Sequence, residues 1–213
     1  MTLVGCVSIT LSLFIMLWYA CKTEQVGCHF NSIYDFKIPM ISGVICLPML
    51  DRIWCILTTF FCLTVLQCNL RAYYAKLYPI VDKKANDSAM TWGLFPIFSL
   101  PLIGFFDEHA FKIVHFLCAA VFFLSTVVYS NKLSNIFYKY KDQFPAEAKH
   151  IDRMYFISYG QWVVLGLFAL SKPLGLNTAF MEWVLGVLYL NFFAFASYVN
   201  PYYSSVEPKE DKP

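Results

Sequence analysis

The stretch GFFDEHAFKIVHF, residues 104–116, brings several titratable side chains into an otherwise apolar part of the chain: Asp107, Glu108, His109, Lys112 and His115. Glu108 and His115 are seven residues apart, so a continuous helix places both on one stripe, with His115 about 10 Å further along the axis. At that depth in a membrane an ionisable side chain is costly and usually faces the interior of a bundle or a wet cavity. The spacing therefore predicts a polar site just inside one end of a helix bundle.

A further acidic residue, Glu182, stands at the start of the last apolar run, in AFMEWVLG. We expect Glu108, His115 and Glu182 to meet at one end of the bundle. Carboxylates and a histidine in contact can transfer protons, and a histidine titrates near neutral pH, which makes it the natural base. These three are the predicted catalytic residues. Asp107 and His109 beside them are predicted to bind the head group of the substrate.

The same residues also have purely structural explanations. Asp107 directly before a helix is a good N-cap, and Glu108 in the first turn interacts favourably with the helix dipole. Glu108 and Lys112 are four residues apart and can form an ion pair on one face. His115 is then a hydrogen-bonded packing residue, and Glu182 is a dipole partner of the last helix. Both explanations stay open at the level of sequence.

Six apolar runs are the elements that must position these residues. Of the 213 residues, 59% are hydrophobic and only 14% are charged, whereas an ordinary soluble domain is about 25% charged. Each run is long enough to cross a hydrocarbon core of about 30 Å. The runs are residues 3–21, 53–70, 90–106, 110–130, 155–171 and 179–199. The sequence therefore predicts an all-α fold, a polytopic membrane protein with a bundle of six transmembrane helices.

The distribution of basic residues predicts how this bundle is oriented. With six spans, loops 71–89 and 131–154 and both termini share one side of the membrane. That side carries eleven of the lysines and arginines against five on the other, which places both termini in the cytosol by the positive-inside rule. We predict one membrane domain over residues 1–200 and a disordered cytosolic tail over residues 201–213. The glycosylation sequon at Asn86 then lies on the cytosolic side.

The loop between the first two spans, residues 22–52, is moderately apolar and is expected to fold back over the mouth of the bundle as a lid. Cys21, Cys28 and Cys46 lie in or beside it, and a disulfide there, for example between Cys28 and Cys46, would fit a lumenal loop. The chain has no glycine-rich phosphate-binding loop and no zinc-type spacing, so we expect neither cofactor nor metal. Its basic residues are thinly spread, which argues against nucleic acid as a partner.

Three short motifs, in order along about residues 1–203, resemble the Frag/DRAM/Sfk superfamily of six-span membrane proteins. The first is a Cys-His…Pro-x-Ile-Ser loop followed by Arg-x-Trp, the second is Asp-Glu-His-Ala-Phe with Val-His-x-x-x-Ala, and the third is Met-Glu-Trp. Their residues are Cys28, His29, Pro39, Ile41, Ser42, Arg52 and Trp54; Asp107 to Phe111, Val114, His115 and Ala119; and Met181, Glu182, Trp183 and Asn191. The likeness is greatest to the branch of post-GPI-attachment factors and the N-terminal part of Cwh-type proteins.

The resemblance implies a Golgi or ER membrane protein that takes part in remodelling the lipid of GPI anchors, where a lyso-GPI intermediate regains an acyl chain. The implied partners are the GPI-anchor lipid or another membrane lipid, an acyl donor and a partner remodelling enzyme. The chain is then either the acyltransferase or an accessory factor. Among the motif residues, His29, Ser42 and Asn191 are predicted to contact the substrate.

A second function class stays open beside this one. A DRAM- or Sfk-like regulatory membrane protein would modulate autophagy, phosphoinositide supply or lipid asymmetry without catalysis. It would act through its cytosolic parts, residues 131–154 and 200–213. A small channel or transporter fits less well, because the sequence contains no repeat of broken helices.

Overall fold

The computed structural model describes residues 2–23, 26, 28–30, 36–45, 47 and 49–199. Within them the chain is α-helical, apart from two short 3₁₀ turns and a two-residue antiparallel pair, β1 (His29–Phe30) and β2 (Phe36–Lys37). The α-helices are α1 (Thr2–Lys22), α2 (Ile41–Ile45), α3 (Leu50–Phe60), α4 (Gln67–Leu77), α5 (Lys83–Phe105), α6 (Lys112–Lys139), α7 (Ala148–Ala169) and α8 (Thr178–Tyr198). A π-helical segment, Phe61–Leu66, joins α3 and α4 into one rod. The predicted tail, residues 201–213, lies outside the described part.

Each predicted span coincides with a helix to within two residues at the ends where it extends past the helix, and several helices are longer than their apolar runs. The run 53–70 lies inside a rod from 50 to 77, and the runs 90–106 and 110–130 belong to helices that cover 83–105 and 112–139. The reason is that hydropathy marks the stretch suited to lipid, whereas a helix continues until a cap or turn ends it. Asp82 caps α5 by accepting from the Ala85 N–H at 3.2 Å, and Asn177 caps α8 by accepting from the Phe180 N–H at 3.1 Å.

The long helices form a closed ring in chain order. Each packs against the next, from α1 through the α3–α4 rod, α5, α6 and α7 to α8, and α8 packs back against α1. Neighbours run antiparallel, because the connections are short; Lys141 just after α6, for example, pairs with Asp152 near the start of α7 at 2.6 Å. The α2 end of the bundle holds α2 and the loops 106–111 and 170–177. The opposite, terminal end holds the start of α1 and the end of α8.

The predicted all-α bundle is confirmed, with several helices fit to cross a membrane. Within the described residues, five helical segments are long and apolar enough: Val4–Lys22, Leu50–Leu77, Lys83–Phe105, Lys112–Lys139 and Thr178–Tyr198. Helix α7 does not meet this criterion because its first turns carry Lys149, Asp152 and Arg153. It nevertheless packs between α6 and α8 over 22 residues. The sixth crossing therefore stays a prediction.

The loop after α1 contains a disulfide that differs from the predicted one. Cys28 is bonded to Cys21 at the end of α1, so a bond between Cys28 and Cys46 is excluded by this pairing; Cys46 itself lies outside the described residues. The two cysteines are seven positions apart in the sequence, before α2 begins. The disulfide thus closes a short turn at the α2 end of the bundle.

The short helix α2 is the part of the predicted lid that the structure describes best. It contacts α1, α3 and α8, and its Val44 and Ile45 are buried. We call residues 39–45, which include α2, the plug. It closes the ring of helices at this end from inside, rather than lying over it as a surface flap.

Candidate functional site

A cavity lies inside the ring next to the plug, with a volume of about 100 Å³. Its walls come from α1, α2, α3, the π segment, α5, α6 and α8, and most of them are aliphatic or aromatic side chains. For comparison, an apolar protein cavity of about 150 Å³ admits a benzene molecule. The space therefore suits a short apolar segment of a ligand.

Buried polar side chains line this apolar cavity. His115 is 1% exposed, Ser42 6% and Trp54 4%. The Ser42 hydroxyl and the Trp54 indole N–H have no hydrogen-bond partner among the described residues. Because buried polar groups are nearly always hydrogen-bonded, these two groups indicate a ligand or water that completes them.

The His115 ring is held by the last turn of α5. Its Nδ1 lies 3.1 Å from the Ile103 carbonyl oxygen and 2.8 Å from that of Phe106. Carbonyl oxygens only accept, so Nδ1 carries the hydrogen and donates to both. In the neutral ring Nε2 therefore holds the lone pair, and it makes no hydrogen bond to any described residue. This arrangement leaves a hydrogen-bond acceptor of fixed tautomer at the cavity.

Glu182 also lines the cavity, but its carboxylate has a structural partner. Its Oε2 accepts a hydrogen bond from the Ile41 backbone N–H at 2.8 Å, at the first residue of α2. The neighbouring Trp183 donates from Nε1 to the Pro39 carbonyl at 2.8 Å. Two consecutive side chains of α8 thus hold the plug by its backbone. Glu182 lines the cavity, and its main role is to position Ile41 and Ser42.

Of the three residues predicted to meet, His115 and Glu182 line the same cavity, whereas Glu108 and the rest of the Asp107–His109 segment do not line it. Helix α6 begins only at Lys112, so residues 107–110 form a separate turn and the helical stripe from Glu108 to His115 does not exist. Asp107 Oδ1 accepts from the His109 and Ala110 N–H groups at 2.8 and 2.7 Å and caps this turn instead of α6. His109 is exposed.

A further predicted contact of this segment is absent. Glu108 forms no ion pair with Lys112 in the described part of the chain; Lys112 instead lies 6.0 Å from the centre of the Phe116 ring. The difference follows from the late start of α6, since a four-residue pair needs one continuous helix. The segment acts as a capped turn between α5 and α6.

The residues singled out through the resemblance divide between the cavity and other places. Ser42 lines the cavity. Asn191 is exposed on α8 and donates from Nδ2 to the Val187 carbonyl of its own helix at 2.8 Å, so it does not reach the cavity. The side chain of His29 lies outside the described part of the structure.

Trp54 is a cavity residue to which the sequence analysis assigned no role in the site. Leu50, Trp54 and Thr58 are the buried residues of α3, and their spacing of four is the helical signal that would have found it. Among the described residues, no cluster of three or more His, Cys, Asp or Glu side chains is arranged to hold a metal ion.

No family model matches this chain, and neither a curated protein nor a solved structure is similar to it by significant sequence or fold comparison.

Proposed function

We propose that this chain is a membrane-embedded factor for remodelling the lipid of GPI anchors, and that it holds part of a lipid acyl chain in its central cavity. One observation carries the proposal: an apolar cavity inside a bundle of membrane-length helices is lined by buried polar groups that lack a partner. An acyl ester or a lyso-lipid has this same composition, with methylene groups next to a carbonyl or hydroxyl.

The hydrogen-bond donors and acceptors of the cavity complement those of such a ligand. The Trp54 N–H and the Ser42 hydroxyl are available to donate to an ester carbonyl, and the unprotonated Nε2 of His115 is available to accept from a glycerol hydroxyl. The aliphatic and aromatic walls then contact the methylene groups beside it. Asp107, Glu108 and His109 do not line this cavity.

The choice of GPI lipid rests on the resemblance described above. Two features support the accompanying orientation, with the α2 end in the lumen of the Golgi or ER. The Cys21–Cys28 disulfide lies at the α2 end, and disulfides persist in oxidising compartments. Most basic residues of the loops lie at the terminal end, as expected of a cytosolic side. The glycan of a GPI anchor is lumenal, and in the proposed orientation the cavity lies at the lumenal end of the bundle.

If the chain catalyses acyl transfer itself, His115 is the base. Nε2 accepts the proton of the glycerol hydroxyl as that oxygen attacks the carbonyl carbon of an ester or thioester donor. The bond from that carbon to the leaving group breaks, and the leaving group takes the proton. If the chain is an accessory factor, the same contacts only hold the lyso-lipid for a partner enzyme.

The test is mass spectrometry of the GPI-anchor lipid on a reporter protein, in cells that lack this chain. The cells are rescued with wild type, His115→Asn or His109→Asn at matched expression. Asparagine retains a donor near the position of Nδ1 but has no counterpart of Nε2, so His115→Asn is expected to fold and to leave lyso or unsaturated anchors. His109→Asn, at an exposed position outside the cavity, is the control and is expected to rescue.

An unchanged anchor in the knockout would reject the remodelling function and favour the regulatory class, whose test is deletion of residues 200–213. An altered anchor that His115→Asn restores fully would keep the pathway but remove His115 from the mechanism.

A further inference from the structure

The seam between α1 and α8 is the one place in the ring where the neighbours are not consecutive in the chain. A slit of about 10 Å³ lies along it, between Thr10 and Phe14 on α1 and Val187 on α8. Phe14 is 51% and Val187 42% exposed. Both helices are long and apolar enough to span a membrane, so the outer side of this slit faces the hydrocarbon of the bilayer.

The inner side of the slit is the wall of the central cavity. The same side chains line both spaces: Leu13, Ile41, Gly186 and Leu190. Only this layer, one residue thick, separates bilayer lipid from the cavity. Gly186 contributes no side chain to it, and a Cβ at that position would lie 3.2 Å from Ile41 Cδ1. Ile41 therefore fills the space that a larger residue would occupy on α8.

We propose that an acyl chain of a bilayer lipid enters the central cavity sideways through the α1–α8 seam, and that Ile41 of the plug is the gate. The proposal rests on the proposed function in taking an acyl chain as the ligand of the cavity. A slit of this volume is at the limit for one water molecule, so the seam is closed in this state. Entry requires Ile41 to withdraw.

Two hydrogen bonds from α8 hold the backbone of the plug and must change when Ile41 withdraws. Ile41 is held through its own N–H by Glu182, and the preceding Pro39 carbonyl is held by Trp183. Trp183 also stacks on Phe14 across the seam, with ring centres 5.9 Å apart. Trp183 therefore belongs both to the side chains that line the slit and to those that hold the plug. Displacement of the plug and opening of the seam are coupled through this residue.

A wider apolar groove, of about 370 Å³, lies between α1 and α3 near the α2 end. Its lining includes Ser12, Met16 and Ile53 and shares no residue with the lining of the central cavity. Bilayer lipid can occupy it, but none of its lining residues reaches the central cavity. It is the competing entrance in the experiment below.

The experiment follows photo-labelling of the purified full-length protein in phosphatidylcholine nanodiscs. Donor vesicles supply a phosphatidylcholine with a diazirine in one acyl chain, and the rate at which adducts appear on cavity residues is measured by peptide mass spectrometry. Thr10→Phe and Val187→Trp add bulk at the slit. Leu11→Phe is the matched control, because Leu11 is 58% exposed on the same helix and does not line the slit. Ser12→Phe fills the α1–α3 groove.

We expect cavity labelling in wild type, a severalfold slower rate in Thr10→Phe and Val187→Trp, and a wild-type rate in Leu11→Phe and Ser12→Phe, at equal melting temperatures. Cavity labelling at the wild-type rate in both slit variants would overturn the seam as the entrance. Slowing by Ser12→Phe alone would move the entrance to the α1–α3 groove. Absence of cavity labelling in wild type would instead reject the acyl chain as the ligand, and with it the proposed function.

Discussion

The two nitrogens of His115 have different tasks, and substitutions can separate them. Nδ1 donates to the carbonyls of Ile103 and Phe106, whereas Nε2 has no protein partner. Glutamine places its polar group near the position of Nε2 and leaves these carbonyls without their donor, at a cost of about 1–3 kcal/mol. We expect His115→Gln to lower the melting temperature in detergent more than His115→Asn does. Equal melting temperatures would show that the bond from Nδ1 contributes little.

Glu182 provides a second test at this scale, because positioning and catalysis require different chemistry. Glutamine can still accept from the Ile41 N–H, whereas alanine cannot. We expect hydrogen exchange at residues 41–45 to stay slow in Glu182→Gln and to accelerate in Glu182→Ala, with a loss of about 1–3 kcal/mol for a buried N–H left without its acceptor. If Glu182→Gln leaves exchange unchanged and yet abolishes anchor remodelling in cells, the carboxylate is catalytic and the positioning role is insufficient.

Helix α5 packs closely against both neighbouring helices at Gly93, where there is no room for a side chain. A Cβ at Gly93 would lie 2.5 Å from Leu70 Cδ1 and 2.9 Å from Tyr129 Cε2, on the two neighbouring helices. Overpacking of this kind costs about 1–3 kcal/mol, so Gly93→Ala is expected to lower thermal stability. Gly160 of α7 has nothing within 4 Å of its Cβ position. Gly160→Ala is the control and should be neutral or stabilising, by up to about 1 kcal/mol from helix propensity.

Helix α7 is the element whose relation to the membrane most needs a measurement. If α7 crosses, residues 170–177 and 140–147 lie on opposite sides. A flexible linker with a glycosylation sequon, inserted after Gly175, is then expected to be glycosylated in cells, whereas the same insert after Gln143 is not. Absence of the sugar at both positions would place α7 along one surface of the bundle and leave five crossings.

The sequence predicts those parts of the structure that hydropathy determines, and it does not predict those that depend on a local turn. The helices were predictable because apolar runs of membrane length leave the backbone no alternative in lipid. The burial of His115 and Glu182 followed from their depth. The predicted N-cap role of Asp107 for α6 and the helical stripe from Glu108 to His115 were wrong, because the start of α6 at Lys112 is set by a turn that hydropathy does not record.

The sequence also does not show which side chains of the last helix, α8, point into the bundle. Helix α8 is apolar on all sides, so its sequence does not tell Asn191, which is exposed, from Tyr189, which is 4% exposed and donates to the Phe123 carbonyl. The plug contacts join residues more than 140 positions apart. Only the packed ring brings such residues together, and one sequence alone carries no sign of the pairing.

For the molecule as a whole, the Cys21–Cys28 disulfide is the feature tied to compartment. Peptide mapping without reduction is expected to find this pair, and Cys28→Ser should lower stability by about 2–3 kcal/mol, as expected for closure of a short loop. Cys68→Ser is the control, since Cys68 is an exposed free cysteine. A fully reduced Cys21 in protein from native membranes would contradict a lumenal α2 end.

The closed ring also dictates an order of assembly during synthesis. Helix α1 leaves the ribosome before the other helices of the ring and its neighbour α8 after them, so one flank of α1 has no protein partner until α8 emerges. Pairs of neighbouring helices between them can associate as they emerge. The interior of the nascent bundle therefore stays open to the surrounding lipid until its final helix inserts, and truncation before residue 178 would leave a protein that is mostly folded and permanently unsealed along one side.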